Sequence, residues 1–384
     1  MNNTETHIGI VGAGKIGRAI YELLVSSDFG YQISISDVAD RPYNIPEENY
    51  TQLEYDRPEL QGMISHESDL HGDSTKFSEF VKDKTLIINA LPFHQNINLY
   101  KECYEHNVPY FDLSEDDALD SYIREMDEEE KAKIPFTMPH CGLAPGMSSI
   151  VAFHLLKELE TPHVLKIRVG ALSQNADNKL RYYSSWSGDG LVNEYMGDCD
   201  VVERGRVKQV QALSGYEKIT IDGREYECFN TSGGIGTLPY TIQTKYDPFD
   251  SIKPSTIYAD YKTLRRVGHH NYVDFLFHDL HLDRSSLTAI FKHCIPTTRK
   301  DEVILYVSAS STDKEDEIVY YKVFKPMNIN GRNLSAIEYT TAIGLVSMVE
   351  LFVEGKIPKE GYLKQEQVDW KDVVKTKYGN IYKE

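Results

Sequence analysis

The stretch that most constrains the fold is IGIVGAGKIGRAIYELL, residues 8–24. Ile8, Ile10 and Val11 make a short β-branched run suited to a buried parallel strand. Ile16, Ala19, Ile20, Leu23 and Leu24 then recur at helical spacing with no proline among them. Between the two runs stand Gly12, Gly14 and Gly17. A strand–turn–helix unit uses each of them differently. Gly12 allows the tight turn, Gly14 lets a ligand approach the backbone, and Gly17 lets the helix lie close to the strand. Free N–H groups at the helix start, over Lys15 and Ile16, favour an anion there. A second alternating run, YQISISDVAD, ends at Asp37, the spacing at which an acid accepts from a ribose hydroxyl. Together these features predict a bound dinucleotide. Asp37 favours NAD, and Arg41, four residues on, leaves NADP open by attracting a 2′-phosphate.

The pattern continues as alternating strands and helices. TLIINALP (85–92) reads as a buried strand and NINLYKECYEHN as the helix after it. VPYFDLS and IPFTMPH read as two more strands. The acidic segment between them, EDDALDSYIREMDEEEKAK, places Leu119, Ile123 and Met126 at helical spacing and predicts one solvated helix. After GLAPGMSSIVAFHLLKEL, long β-rich runs take over: HVLKIRVGAL, EKITIDGREYECFNTS, STIYADYKTLRRVG, EVILYVSAS and EIVYYKVF. They predict a mixed or antiparallel sheet. AIEYTTAIGLVSMVELFVEGK reads as a long apolar helix capped at Gly355. The expected fold is therefore α/β: a doubly wound parallel Rossmann sheet over 1–145, completed by 336–384, and a second α+β mixed-sheet domain over 146–335 for substrate and dimerisation.

Composition narrows the partners. The chain has 384 residues, 41% hydrophobic and 26% charged, enough for two domains with cores. A formal charge of −18 argues against nucleic acid and anionic membranes. The start, MNNTETH, lacks the basic and apolar regions of a secretory signal, and the apolar stretch 342–353 is short for a bilayer and contains Glu350. Five scattered cysteines without a CxxC pair favour reduced thiols, and so the cytoplasm, over disulfides or structural zinc. HDLH (278–281) offers two histidines without a third ligand, so no metal is expected. Exposed strand edges in the β-rich half favour a homodimer or larger assembly.

GLAPGMSSI, FNTSGGIGTL, DYKTLRRVGHHNYVDFLF and EGKIPKEGYLKQEQV, in that order, resemble the saccharopine dehydrogenase and lysine 6-dehydrogenase family along nearly the whole chain. The resemblance implies an NAD(P)-dependent oxidoreductase acting on the C–N bond of a lysine-derived amino acid and giving allysine, 2-aminoadipate 6-semialdehyde. Ala144, where fungal saccharopine enzymes carry an aspartate, and the NTSGG loop (230–234) are closer to the lysine 6-dehydrogenase pattern. A carboxynorspermidine synthase-like polyamine enzyme and a non-catalytic NAD(P)-binding sensor stay open.

Such chemistry needs a carboxylate anchor, a proton acceptor for the amine and water at the imine. Arg265 is the expected anchor, since a guanidinium grips a carboxylate through paired hydrogen bonds. Thr231, Ser232 and Gly233 would add donors beside it. Candidates for proton transfer are Asp112, Glu115, His140, Cys141 and His269. Asp112 and His140–Cys141 end predicted strands, and His269 is expected to titrate near neutrality. Ala90, Leu91, Pro92 and Phe93 form the loop where the nicotinamide half is expected.

Overall fold

The computed structural model describes residues 6–53, 75–246, 256–312 and 316–383. They fall into two compact units. The first comprises 1–142, 341–365 and 375–379, the second 143–340, 366–374 and 380–384. The C-terminal stretch is thus shared between the units, where the sequence pattern predicts a return to the first alone.

Unit 1 alternates β1 (His7–Val11), α1 (Lys15–Val25), β2 (Gln32–Asp37), β3 (Tyr50–Gln52), α2 (Thr75–Val81), β4 (Leu86–Asn89), α3 (Asn96–Glu105) and β5 (Tyr110–Asp112). Two short helices, α4 (Ala118–Glu125) and α5 (Glu128–Lys131), precede β6 (Thr137–Met138). The strands form one parallel sheet in the order β3-β2-β1-β4-β5-β6, whose reversal between β1 and β4 is the doubly wound switch point. Val11 pairs with Asn89 and Asn89 with Asp112, so the glycine turn, the 90–93 loop and Asp112 leave the sheet at one edge.

The acidic segment is two helices, not one. Met126 breaks the first with extended backbone, and Asp127 starts the second with a reciprocal capping box: its carboxylate accepts from the Glu129 and Glu130 amides, and Glu130 Oε2 accepts from the Asp127 amide. Leu119, Ile123 and Met126 are buried, as their spacing predicts, beside Leu99, Tyr100, Cys103 and Tyr110.

Unit 2 opens with α6 (Met147–Glu158) and β7 (Pro162–Ser173), followed by α7 (Gly188–Met196). Two hairpins come next, β8 (Asp198–Glu203) with β9 (Arg206–Gln211), and β10 (Glu217–Ile221) with β11 (Arg224–Asn230). Then follow α8 (Leu238–Lys245), β12 (Tyr258–Arg266), α9 (His269–Asp274), α10 (Arg284–Ala289), β13 (Asp301–Ser311) and β14 (Glu317–Phe324). The sheet runs β10-β11-β12-β7-β13-β14, with the first hairpin attached through β12. It is mixed: β7 is parallel to β12 and antiparallel to β13. The long helix α11 (Ala336–Val353) meets membrane-span criteria by length and composition, yet 83% of its window is buried inside the protein, as a core helix requires. Gly355, at φ +72°, follows it in the left-handed conformation that ends helices.

Candidate active site

In unit 1 the three glycines separate into two kinds. Gly12 has φ +106°, and a Cβ there would stand 2.6 Å from the Ala90 carbonyl oxygen. A Cβ on Gly17 would stand 1.9 Å from the Gly12 carbonyl oxygen. Both are demanded by the fold itself. Gly14 has an ordinary φ of −65°, and a Cβ there would meet nothing within 4 Å among the described residues. Its bare backbone therefore serves something other than packing, in open space at the N-terminus of α1, with Lys15 exposed and Ile16 half-buried beside it. That cradle fits the pyrophosphate of a dinucleotide.

Asp37 already braces this turn. Its Oδ2 accepts from the Ala13 amide at 2.6 Å and its Oδ1 from the Ala39 amide at 3.0 Å, which aims the carboxylate at the turn and leaves lone pairs for a ribose hydroxyl. The Arg41 guanidinium donates to the Ile45 carbonyl. On the neighbouring strand end, the Leu91 amide donates to Asn89 Oδ1 at 3.0 Å, which shapes the loop through Ala90, Pro92 and Phe93.

Asp112, His140 and Cys141 come together at the same edge. Asp112 is buried; its Oδ2 accepts from the Tyr110 hydroxyl at 3.0 Å, and its Oδ1 accepts from the Ser114 and His140 amides at 3.0 and 2.8 Å. The Cys141 amide donates to the Asp112 carbonyl at 2.8 Å. Burial raises the Asp112 carboxyl, against the pull of the His140 charge and of these hydrogen bonds. Burial, then Asp112, lifts the Cys141 thiol well above its usual range, so it keeps its proton. Glu115 lies half-buried in the connection before α4.

His140 departs from the expected proton shuttle. Its Nδ1 lies 2.7 Å from the Ser114 carbonyl oxygen and its Nε2 2.5 Å from Asp120 Oδ2. Both partners are acceptors, so both ring nitrogens carry hydrogen. Burial opposes that charge, but Asp120, through charge and hydrogen bond, and then Asp112 push the pKa up to about 10.

Unit 2 gathers Arg265, Thr231, Ser232, Gly233 and His269 around two residues the sequence pattern does not single out, Glu194 and Tyr195 of α7. Arg265 is 2% exposed. Its Nε donates to the Tyr195 hydroxyl at 2.9 Å, its Nη1 to Thr263 Oγ1 and the Leu264 carbonyl at 2.9 and 3.2 Å, and its Nη2 to Glu194 Oε2 at 3.2 Å. Burial pushes the Glu194 carboxyl up, with Arg265 pulling against it. The expected carboxylate anchor is thus a core arginine with its own counter-ion. Ser232 packs on the same helix: its amide donates to the Glu194 carbonyl at 3.0 Å and its hydroxyl to the Asn193 carbonyl at 2.9 Å. Gly233 turns the chain at φ +82°, and the buried Thr231 hydroxyl has no partner among the described residues. In the sequence Glu194 stands out only as an acid between the apolar Val192 and the aromatic Tyr195, with nothing to mark its pairing with Arg265.

His269 does not titrate near neutrality. Its Nδ1 faces the Leu180 carbonyl oxygen at 2.9 Å and its Nε2 the Tyr195 hydroxyl at 3.0 Å. Burial and the Arg265 charge push its pKa down to about 3. With the ring neutral and Nδ1–H donating to the Leu180 carbonyl, Nε2 accepts from the Tyr195 hydroxyl, whose oxygen accepts from Arg265.

The chain is similar to known proteins over nearly its whole length. Residues 8–137 match the saccharopine dehydrogenase NADP-binding domain and residues 142–382 the saccharopine dehydrogenase C-terminal domain. The mitochondrial alpha-aminoadipic semialdehyde synthase of Bos taurus is 23% identical over 356 residues, 89% of this chain; the chain spans 35% of that protein's length. The apo L-Glu-forming saccharopine dehydrogenase of Saccharomyces cerevisiae has the same fold, with TM-score 0.65, 14% identity and 97% and 98% of the two chains covered. The homospermidine synthase of Legionella pneumophila, solved with NAD, superposes at TM-score 0.66 with 10% identity, covering 99% and 91%. Two consecutive domain matches that account for nearly every residue, over a glycine turn shaped for NAD(P), make this chain a member of the saccharopine dehydrogenase family.

Proposed function

We propose that the chain is an NAD(P)-dependent dehydrogenase that acts on the C–N bond of a lysine-derived amino acid and gives allysine. The observation that carries this reading is the unbroken run of both family domains, 8–137 and 142–382, with the cofactor turn intact. When bound, the nicotinamide supplies the hydride acceptor or donor. The chain must then deprotonate the substrate nitrogen and admit water to the imine. Asp112 is the group for the proton: it is a carboxylate at the C-terminal edge of a parallel sheet, where ligands of such sheets bind. Cys141 keeps its proton, and hydride transfer asks for no nucleophile, so it lines the site.

The test is absorbance in the reduced-nicotinamide band, with NAD or NADP against lysine, saccharopine and simple diamines lacking a carboxylate, and with NADH or NADPH against allysine plus an amine. Turnover of lysine or saccharopine is the expected result. Turnover confined to amines lacking an α-carboxylate assigns the chain to polyamine chemistry. Tight cofactor binding with no turnover of any of them assigns it to sensing.

A further inference from the structure

Among the candidate groups His140 is the one whose charge is fixed by geometry. Two acceptors bracket its ring: the Ser114 carbonyl and the Asp120 carboxylate. Asp120 is held in turn by the Tyr362 hydroxyl, which donates to its other oxygen. The His140 backbone takes the left-handed conformation, φ +63°, which points its amide at Asp112 Oδ1. One residue therefore touches Asp112 through its main chain and carries a ring whose charge favours the ionised carboxyl.

We propose that His140 is a positioning residue for the reaction: an imidazolium charged at neutral pH, braced by Asp120 and the Ser114 carbonyl, that fixes both the orientation and the negative charge of Asp112. This rests on the reading of Asp112 as the proton acceptor. Buried as it is, Asp112 would favour the protonated form, in which it cannot take a proton from an ammonium. The groups facing this pair are few and come from every side. Tyr110, on the same strand as Asp112, donates to it, and Cys141 follows His140. Asp116 and Asp120 add negative charge, with Asp117 beside Asp116 and Arg124 beside Asp120. Asn89, on the adjacent strand, holds the Tyr110 hydroxyl at 2.9 Å. His140 touches Asp112 through its amide, and its ring, paired with Asp120, acts on the Asp112 carboxyl by charge alone.

The test begins without substrate. Nitrogen NMR of the full chain with labelled histidine should show both His140 ring nitrogens protonated at pH 8.5; a neutral ring at that pH overturns the proposal. Carbon NMR of the Asp112 carboxyl should report an ionised group at pH 7, with its titration midpoint at least one pH unit higher in His140→Gln. An unmoved midpoint in a folded variant also overturns the proposal. If His140→Gln does not fold, Asp120→Asn supplies the second variant, since it removes the counter-charge, and its ring should titrate below pH 8.5. With an active substrate, His140→Gln should bind cofactor within about twofold of the parent and lose about tenfold or more in kcat/KM at pH 7. The acid limb of its profile should move upward, with activity recovering as pH rises. An equal loss at every pH reduces His140 to a structural role. Absence of turnover in the parent chain is a failure of the functional reading alone, because the NMR results stand apart from it.

Discussion

At Arg265 the chain supplies its own counter-ion, which changes what a substitution there reports. Arg265→Ala leaves the Glu194 carboxylate buried without its cation, a loss of about 3–5 kcal/mol for a pair broken from one side. Arg265→Met combined with Glu194→Leu removes both charges at similar volume and should regain at least half of that loss in urea titrations. Equal destabilisation of the single and double variants would mean the pair is not an energetic unit. Asp37 likewise serves the turn before it serves a ligand. Asp37→Ala should lower the NAD to NADP ratio of kcat/KM by about tenfold, one hydrogen bond plus lost repulsion of the 2′-phosphate. An unchanged ratio removes Asp37 from cofactor choice. Both residues are conspicuous in the sequence through their motifs: Asp37 ends the alternating run after the glycine turn, and Arg265 stands in DYKTLRRVGHH. The internal partners, Glu194 for one and the Ala13 amide for the other, are invisible there because they come from distant segments or from the backbone.

The glycine turn allows fold and ligand roles to be separated within one element. Gly17→Ala forces a methyl against the Gly12 carbonyl, so α1 must shift; the expected cost is about 1–3 kcal/mol or more, together with loss of cofactor binding. Gly14→Ala meets open space at an allowed φ, so stability should stay within about 0.5 kcal/mol of the parent. Its Kd for NAD(H) should nevertheless rise at least tenfold by calorimetry, because the methyl stands where the phosphates approach. Unchanged affinity in Gly14→Ala would leave the turn without a ligand role. This element is legible because its strand, glycines, helix and the acid at Asp37 lie within 30 residues; the Ala90 carbonyl that also demands Gly12 is not visible there. The β8–β9 hairpin is less so: β9 is polar and largely exposed, and its signal is the Arg204–Gly205 turn, both residues at positive φ. The pairing of β7 with β12 is not legible at all. Alternation marks a strand's faces and says nothing about a parallel neighbour some 90 residues away.

Across the whole molecule, the two units carry buried histidines of opposite sense. Folded unit 1 holds the His140 proton up to about pH 10, whereas the unfolded chain releases it near 6.5. Between those values the folded state has one proton more, so this group's stabilisation is full below pH 6.5 and is lost as pH rises. The slope is at most about 1.4 kcal/mol per pH unit. In unit 2, His269 stays neutral down to about pH 3, while the unfolded chain takes up a proton near 6.5. Its stabilisation is therefore present above pH 6.5 and lost as pH falls toward 3, with the same limiting slope and opposite sign. Peptide-resolved hydrogen exchange, with rates corrected for pH, separates the two. Peptides from 110–142 should lose protection from pH 7 to 9.5, and those from 188–196 and 258–274 should lose it from pH 6 to 4. His140→Gln should flatten only the alkaline change and His269→Asn only the acid one, since each substitution removes one proton difference. A common pH response in both sets of peptides, or variants that flatten both arms, would mean that other groups govern stability and that these two rings do not.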